Sequence, residues 1–335
     1  MKQVKILELF GGVGSPRCAL RNIGVNTKAI DYVEIDEKAV KSYNSMFADE
    51  LEYKTQSVVG WNLKPDILIH GSPCQDVSIA GLKKGNDENS GTRSSLMWET
   101  VNIIKQMGEW KPKYVIWENV VGVLHKKMSK NFVKYLNEME KLGYTNSYKI
   151  LDARDFGLPQ ARKRVFTVST LGSVPFEFDD LITYKMKNIN DFLENDFNDK
   201  YLVTQPSMLK KIDIENSTSF GVKVIKDYCY TITCKQMRAP NSGVIDLGNG
   251  QYRYLTELEC WRLQGYSDDD YYKALEANPN KHENKMNTAL YKQAGNSIPV
   301  TIFESIFRKI ILGETKAIDR QMTIFDYGAE VIYAN

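Results

Sequence analysis

The sequence predicts an α/β fold: a mostly parallel, Rossmann-like sheet with helices on both faces, plus a smaller irregular domain. Two observations indicate this class. Short apolar runs alternate with segments of helical spacing through the first half of the 335-residue chain, and such alternation is typical of parallel sheets covered by helices. Beyond Leu171-Gly172 the chain becomes irregular and rich in Asn, Asp and Lys. That change predicts a domain boundary.

Local patterns predict the individual elements in chain order. Apolar runs predict strands over residues 4–10, 29–35, 66–70, 114–117 and 164–169. Helical spacing of apolar residues predicts helices over residues 37–46, 94–107, 132–142 and 300–312. A further helix follows the first strand, with Ser15 as its N-cap and Pro16 at its first position. In the irregular region, residues 228–233 resemble a strand.

The amino-acid composition is that of an ordinary globular protein. Hydrophobic residues make up 42% and charged residues 26% of the chain, and the net charge is +2. A surface for nucleic acid must therefore come from local basic clusters. The five scattered cysteines lack zinc-site spacing, so we expect reduced thiols, no metal and a cytoplasmic location. The sequence shows neither a signal peptide nor ~20 consecutive apolar residues, and we expect a monomer that does not enter membranes.

The most informative segment is Gly71-Ser72-Pro73-Cys74-Gln75-Asp76-Val77-Ser78, directly after the strand at 66–70. A turn there would lift the Cys74 thiol out of the sheet at its carboxyl edge, where open α/β sheets bind ligands. The alternative is a buried structural cysteine, because free cysteine is among the most buried residue types. On this segment alone both explanations stay open.

A glycine-rich loop, Gly11-Gly12-Val13-Gly14, follows the first predicted strand. Its glycines would let the backbone approach a ligand closely, although the third glycine of the dinucleotide motif is missing. Glu34 lies 20 residues beyond Gly14 at the end of the second strand, where an acidic residue would bind the two hydroxyls of a ribose. A solvated strand end is the alternative for Glu34.

Glu118 follows the strand at 114–117, next to the edge that carries Cys74. A cysteine and a glutamate at adjacent strand ends suggest a nucleophile with an acid partner, whereas a carboxylate capping the next segment is the common alternative. Arg162 and Arg164 stand two positions apart where the chain enters the last predicted strand. Two arginines on one strand face need phosphate or carboxylate partners, with a surface ladder of ion pairs as the alternative.

Seven motifs then stand in the order of one family: Leu9-Phe10-Gly11-Gly12-Val13-Gly14, Glu34-Ile35, Pro73-Cys74-Gln75, Glu118-Asn119-Val120, Gln160-Ala161-Arg162-Lys163-Arg164, Leu255-Thr256 through Glu259-Cys260 to Arg262-Leu263-Gln264-Gly265-Tyr266, and Gln293 with Gly295-Asn296-Ser297. Each motif alone is a weak signal. In this order, from roughly Lys5 to Phe307, the chain resembles the DNA cytosine-5 methyltransferases of bacterial or phage type.

The resemblance implies an activity and a set of site residues. A methyl group would pass from S-adenosylmethionine, leaving S-adenosylhomocysteine, to carbon 5 of cytosine in a specific sequence of double-stranded DNA. The base would be flipped out and bound covalently by Cys74. Glu118 would be its partner at the pyrimidine, and Arg162 and Arg164 would hold the base. The cofactor would be surrounded by Phe10, Gly12, Gly14, Glu34, Ile35, Leu96, Asn296 and Ile298. DNA would be contacted by Gln75, Ser78 and Thr231.

The resemblance also implies the division of the chain. Residues 1–171 would form the catalytic, cofactor-binding domain, 172–288 the target-recognition domain, and 289–335 a return to the catalytic domain with a tail. The third cofactor motif departs from the family pattern, because Thr55-Gln56-Ser57-Val58 stands where Gly-Asp-Ile is usual. A tRNA cytosine methyltransferase is one alternative, and the long variable region favours DNA over it. A catalytically dead relative is another, against which the intact Pro73-Cys74 and Glu118-Asn119 argue.

The tail carries a motif that catalysis does not explain. Gln321-Met322-Thr323-Ile324-Phe325 resembles the short peptides that bind the bacterial sliding clamp. Such peptides place a few apolar side chains in a preformed groove. In the alternative, Ile324, Phe325 and Tyr327 pack back onto the catalytic domain.

Overall fold

The computed structural model describes residues 3–48, 52–59, 64–71, 96–126, 128–212, 221–237, 240–280 and 282–316. The strands within these ranges are β1 Val4–Leu9, β2 Thr27–Val33, β3 Ile67–His70, β4 Tyr114–Val120, β5 Tyr144–Asp152, β6 Gln160–Ala161, β7 Lys163–Leu171, β8 Cys229–Tyr230, β9 Ile245–Gly248 and β10 Gln251–Arg253. Six of them form one sheet in the order β2-β1-β3-β4-β7-β5, and two small sheets pair β6 with β8 and β9 with β10.

The α-helices of the described residues are α1 Ser15–Asn22, α2 Glu37–Met46, α3 Met97–Gln106, α4 Ser129–Lys141, α5 Pro206–Leu209, α6 Glu257–Arg262, α7 Asp268–Ala277, α8 Thr288–Asn296 and α9 Val300–Phe307. A turn of π-helix, Arg308–Leu312, continues α9. Short 3₁₀ turns lie at Gly108–Trp110, Val121–Leu124, Ala153–Asp155, Phe178–Asp180, Ile189–Phe192 and Asp199–Tyr201. The bounds predicted for α2 are confirmed, and Asp36 caps that helix by accepting from the amides of Lys38 and Ala39.

The mostly parallel sheet is confirmed, with a departure at one side. β1 runs parallel to β2 and β3, and β3 runs parallel to β4. β7 is antiparallel to both β4 and β5. The sequence analysis missed β5 because its middle residues, Ser147 to Ile150, are exposed or half-buried and form no apolar run. Since β7 returns beside β5 after a short connection, the two strands run antiparallel.

Alternate side chains of the central strands enter two apolar layers, one on each face of the sheet. In β3, Ile67 and Ile69 belong to the layer that contains α1, α2 and α9 residues. Leu68 belongs to the opposite layer, with residues of α3 and α4. Both faces are therefore covered by helices, as predicted. The helix predicted over 300–312 buries Ile302 and Ile306 completely.

The predicted N-cap of α1 is wrong. Gly14, in the left-handed region with φ +78°, occupies the N-cap position, and the helix has no side-chain cap. Ser15 is the first helical residue, and its Oγ lies 2.6 Å from the Tyr266 hydroxyl. The local sequence assigned the Ser15 hydroxyl to the helix end, but in the structure this hydroxyl bonds a residue 251 positions away in the chain.

The packing of the later helices bears on the predicted domain division, which stays a prediction. A small separate apolar cluster lies within residues 203–254, inside the predicted recognition domain. By contrast, α7 packs against α2, Asp270 forms a 2.8 Å ion pair with Arg21 of α1, and the Asn278 amide donates to the Lys38 carbonyl. Residues 268–278 are therefore joined to the first domain by direct contacts.

Candidate active site

A cleft opens at the carboxyl ends of β1, β3 and β4. The chain leaves β1 for β2 on one side and later enters β3 on the other side of β1. Such a switch point is where open α/β sheets bind ligands. The cleft is lined by Glu8, Leu9, Phe10, Gly11, Gly12, Val13, Ser15, Pro16, Ile69, Gly71, Glu118, Asn296, Ser297 and Ile298. It thus brings together five predicted site residues: Phe10, Gly12, Glu118, Asn296 and Ile298.

The loop after β1 has an unusual backbone. Phe10 has a φ of +57°, which is uncommon for a residue with a side chain and is found more often at functional sites. Gly14 combines positive φ with close packing, because a Cβ there would lie 2.6 Å from the Tyr43 ring. At Gly12, also at positive φ, no atom of the described residues beyond its two chain neighbours lies within 4 Å of the Cβ position. Gly12 therefore leaves open space where a ligand could approach the backbone.

Glu34 reaches back from the end of β2 to this loop. Its Oε2 accepts a 2.9 Å hydrogen bond from the Gly12 amide, and its Oε1 accepts from the amides of Ile35 and Asp36 at 2.7 and 2.9 Å. The Tyr32 hydroxyl donates to the Gly12 carbonyl at 2.5 Å. The end of β2 therefore fixes Gly12, and it places Glu34 beside the cleft.

Glu8 is a site residue that the sequence analysis missed. It is 1% exposed and lines the cleft. Its Oε1 accepts from the Tyr43 hydroxyl at 3.1 Å, while its Oε2 has no hydrogen-bond partner among the described residues. Burial raises the pKa of Glu8 to about 7, against the opposing influence of Arg17 and Tyr43. The available signal was a carboxylate inside an otherwise apolar strand.

Glu118 lies close to Gly71, which directly follows β3. Its Oε2 lies 3.9 Å from the position of a Cβ on Gly71, and the Ile298 Cδ1 lies 3.6 Å from that position. Its Oε1 forms a 3.1 Å ion pair with Arg164 Nε. Burial raises the pKa of Glu118, and the charges of Arg164 and Arg162 partly counteract this effect. The predicted carboxylate partner of Arg164 is thus Glu118 itself.

Arg162 is buried at 2% exposure and binds main-chain carbonyls. It donates to Ile232 at 2.9 Å, Gly295 at 3.1 Å and Ser297 at 2.7 Å. Its guanidinium therefore joins the predicted recognition region to the loop that carries Asn296 and Ile298. The pairing of β6 with β8 brings Thr231 beside it, where the Thr231 hydroxyl donates to the Ala161 carbonyl at 2.9 Å.

The remaining predicted cofactor residues, Gly14, Glu34, Ile35 and Leu96, are not part of the described lining of the cleft. Ile35 is 76% exposed, and Leu96 precedes the first turn of α3. In the motif that departs from the family pattern, the main-chain amide of Gln56 donates to the Glu34 carbonyl at 2.8 Å. The Ser57 hydroxyl accepts from the main-chain amide of Val59 at 3.3 Å. The departing motif therefore runs alongside Glu34.

Cys74, Gln75 and Ser78 lie outside the described residues, as does the peptide at 321–325. Gly71 is the last described residue before Cys74, which follows three positions later. Because β3 and β4 are parallel neighbours, the predicted adjacency of these two strand ends is confirmed. Among the described residues, no cluster of acidic, histidine or cysteine side chains could hold a metal ion. No helix in that part of the chain is long and apolar enough to span a membrane.

Comparisons with known proteins agree with this geometry. Residues 4–312 match the family model described as C-5 cytosine-specific DNA methylase. The type II methyltransferase M2.ScrFI of Lactococcus lactis subsp. cremoris is 30% identical, over 92% of this chain and 99% of the relative. The orphan methyltransferase M.SPRI of Bacillus phage SPR is 24% identical, over 93% and 98%. Among solved structures, S. pombe Dnmt2 methyltransferase has the same fold, with a TM-score of 0.71, 20% identity and coverage of 93% and 99%.

Proposed function

The chain belongs to the C-5 cytosine-specific DNA methylase family and is a DNA cytosine-5 methyltransferase, and we propose that it uses S-adenosylmethionine and a covalent Cys74 intermediate. The position of Glu118 is the main observation that supports this mechanism. The Glu118 side chain, which is 12% exposed, faces Gly71, three residues before Cys74. A nucleophile and an acid would therefore meet at one end of the cleft.

Other residues of the cleft fit S-adenosylmethionine. The open space at Gly12 admits a ligand to the backbone of the loop after β1. The Oε2 of Glu8, which has no hydrogen-bond partner in the described part of the chain, offers an acceptor and a negative charge to a cationic group. Glu34 is held beside Gly12, where it would bind the ribose hydroxyls. Phe10, Gly14, Ile35, Leu96, Asn296 and Ile298 would complete the site, and the bound cofactor would supply an electrophilic methyl group.

The protein's own residues would prepare the cytosine. The Cys74 thiolate would attack carbon 6, which makes carbon 5 nucleophilic. A protonated Glu118 would donate a hydrogen bond at N3 during this attack, and the raised pKa of Glu118 suits that role. Arg164, paired with Glu118, would orient the carboxyl group. After methylation, loss of the carbon 5 proton would expel Cys74.

Double-stranded DNA is the proposed substrate. The reacting atoms lie inside the base stack, so the target base must be flipped out at a cost of about a few kcal/mol. Arg162 binds both the segment beside Thr231 and the loop beside Asn296, and it would stiffen the pocket that receives the base. Gln75, Ser78 and Thr231 would contact the DNA. The names of the type II relatives support a role in modification of DNA at specific sites.

A transfer assay tests the proposal against its alternatives. Purified protein is incubated with methyl-labelled S-adenosylmethionine and with duplex DNA, tRNA or no nucleic acid. We expect label in the duplex alone, and bisulfite sequencing should locate it at cytosines of one sequence. Label in tRNA and not in DNA would favour a tRNA methyltransferase, and binding of DNA without transfer would indicate an inactive relative.

Glu8 predicts a pH dependence of cofactor binding. Its pKa of about 7 makes Glu8 mostly protonated in mildly acidic solution and mostly ionised in mildly alkaline solution. Because the ionised form attracts the cationic ligand, we expect the Kd for S-adenosylmethionine to fall up to about tenfold between about pH 6 and about pH 8. Calorimetric titration at both pH values measures this change.

The control for this experiment is Glu8→Gln, which keeps the shape of the side chain but does not titrate. Any ionisation of the ligand itself affects both proteins equally, so the ratio of the two Kd values isolates Glu8. We expect the Kd of Glu8→Gln divided by the Kd of the wild type to grow with pH. A ratio that is the same at both pH values would exclude Glu8 from the cationic end of the site.

The peptide at 321–325 supports a second partner, the bacterial sliding clamp, which would bring the enzyme to newly replicated DNA. A pull-down on purified clamp should retain the wild-type protein and lose the double variant Gln321→Ala, Phe325→Ala, with equal thermal stability of the two proteins. Failure of the clamp to retain the wild type, or a lower melting temperature of the double variant, would instead favour packing of Phe325 on the catalytic domain.

A further inference from the structure

Tyr266 lies between the two walls of the cleft. Ser15, at the end of the loop after β1, and Ser297, beside Asn296, both line the cleft. The Tyr266 hydroxyl is 2.6 Å from the Ser15 Oγ and 3.2 Å from the Ser297 Oγ. All three residues are at most 6% exposed. A single buried hydroxyl therefore connects two walls that are more than 280 residues apart in sequence.

The partners of this hydroxyl fix the direction of every hydrogen bond. Ser297 Oγ donates to the Gln293 carbonyl at 2.7 Å, so it accepts from Tyr266. Tyr266 has then used its proton, and it accepts from Ser15. The chain of bonds runs one way, from Ser15 through Tyr266 and Ser297 to the last turns of α8. Removing the middle hydroxyl leaves Ser15 without its acceptor and Ser297 without its donor.

The segment before Tyr266 brackets the same loop. The Gln264 side chain donates to the Ala294 carbonyl at 2.7 Å, and the Gln264 carbonyl accepts from the Val300 amide at 2.9 Å. Gly265 has a φ of +91°, and a Cβ there would lie 3.2 Å from the Val300 Cβ. Gln264 and Gly265 thus hold both ends of residues 294–300, and Tyr266 holds the middle.

We propose that Tyr266 is a positioning residue for cofactor binding, which sets the distance between the cofactor loop after β1 and the loop at 296–298. The proposed transfer chemistry gives no role to the motif Leu263-Gln264-Gly265-Tyr266. Its role would instead be to hold the two walls of the cofactor cleft in position. This inference rests on the proposed use of S-adenosylmethionine. Tyr266 acts through Ser15 and Ser297 rather than on the reacting atoms.

The test is Tyr266→Phe, which keeps the buried ring and removes only the hydroxyl. We expect the Kd for S-adenosylhomocysteine and the KM for S-adenosylmethionine to rise roughly 5- to 10-fold. The KM for DNA and kcat at saturating cofactor should change less than about twofold. Adding Ser297→Ala should then weaken binding further by less than Ser297→Ala does in the wild type, because both changes break one chain of bonds.

Tyr144→Phe is the matched control. Tyr144 is also buried, and its hydroxyl donates to the Pro112 carbonyl at 2.8 Å, at the opposite edge of the sheet. We expect Tyr144→Phe to lower the melting temperature of the free protein about as much while leaving the Kd for S-adenosylhomocysteine unchanged. If Tyr266→Phe does not fold, Ser297→Ala alone tests the inference. It should likewise raise the KM for S-adenosylmethionine and leave the KM for DNA nearly unchanged.

Two outcomes separate this inference from the proposed function. A wild-type protein that binds no S-adenosylhomocysteine would refute the cofactor assignment as a whole. A wild type that binds it, with equal binding by Tyr266→Phe, would overturn only the role of Tyr266. Equal loss in Tyr266→Phe and Tyr144→Phe would show a general effect of stability and would overturn it as well.

Discussion

Cys74→Ala is expected to reduce methyl transfer below detection while the protein still binds cofactor and DNA. In the proposed mechanism the thiolate supplies the covalent bond that makes carbon 5 of cytosine nucleophilic, and the alanine side chain has no nucleophile. In the proposed site the cofactor would bind the loop after β1 and residues 296–298, and base flipping would need no thiol. Filter-based transfer assays, calorimetry with S-adenosylhomocysteine and a gel shift with duplex DNA measure the three quantities separately.

A mechanism-based trap identifies the nucleophile directly. In a duplex with 5-fluorocytosine at the target, the methylated carbon 5 carries fluorine and has no proton to lose, so the bond from sulfur to carbon 6 persists. We expect a stable complex in which mass spectrometry finds the Cys74 peptide attached to DNA. Cys234, an exposed free thiol, provides the control, because Cys234→Ala should be trapped as efficiently as the wild type. Attachment at any peptide without Cys74 would refute the assignment.

Glu118→Gln is expected to slow methyl transfer by a factor on the order of 10² or more, in line with the loss of a positioned acid. Glutamine keeps the length of the side chain but does not supply a proton. Single-turnover kinetics with saturating cofactor and DNA measure the chemical step. Glu138→Gln, at a mostly exposed ion pair with Lys141 on α4, should leave the rate unchanged.

The pH profile gives a second readout for Glu118. Burial raises the pKa of this carboxyl group, and in the proposed mechanism the protonated form is the donor. The protonated fraction decreases as pH rises, so transfer by the wild type should decline on the alkaline side. We expect Glu118→Gln to lose the alkaline decline, and an unchanged profile with an unchanged rate would show that the proton comes from elsewhere.

The local pattern of the sequence was sufficient for much of the fold. Apolar periodicity predicted α2 with its observed bounds, and the strands at 66–70 and 114–117 became the parallel neighbours β3 and β4. The direction of β7 was not predictable in this way, because a strand's own side chains do not specify whether its neighbour is parallel. β5 escaped notice because its exposed middle carries no apolar run.

The site residues divide in the same manner. The resemblance to one family implied that Phe10, Gly12, Glu118, Asn296 and Ile298 share one site, and the cleft contains all five. The sequence analysis did not mark Glu8, because a single carboxylate in an apolar strand does not reveal whether it will be paired. It assigned Ser15 to a helix end, since the position of Tyr266 depends on the packing of distant segments.

By itself, the sequence determined the alternation of strands and helices, the family, and which residue types stand at the ends of the central strands. These properties depend on neighbours within a few positions or on the order of short motifs. Only the tertiary structure decided the raised pKa values of Glu8 and Glu118, the carbonyl partners of Arg162 and the hydroxyl chain through Tyr266. Burial and hydrogen bonding at those residues arise from segments that meet only when the chain is folded, so no local pattern encodes them.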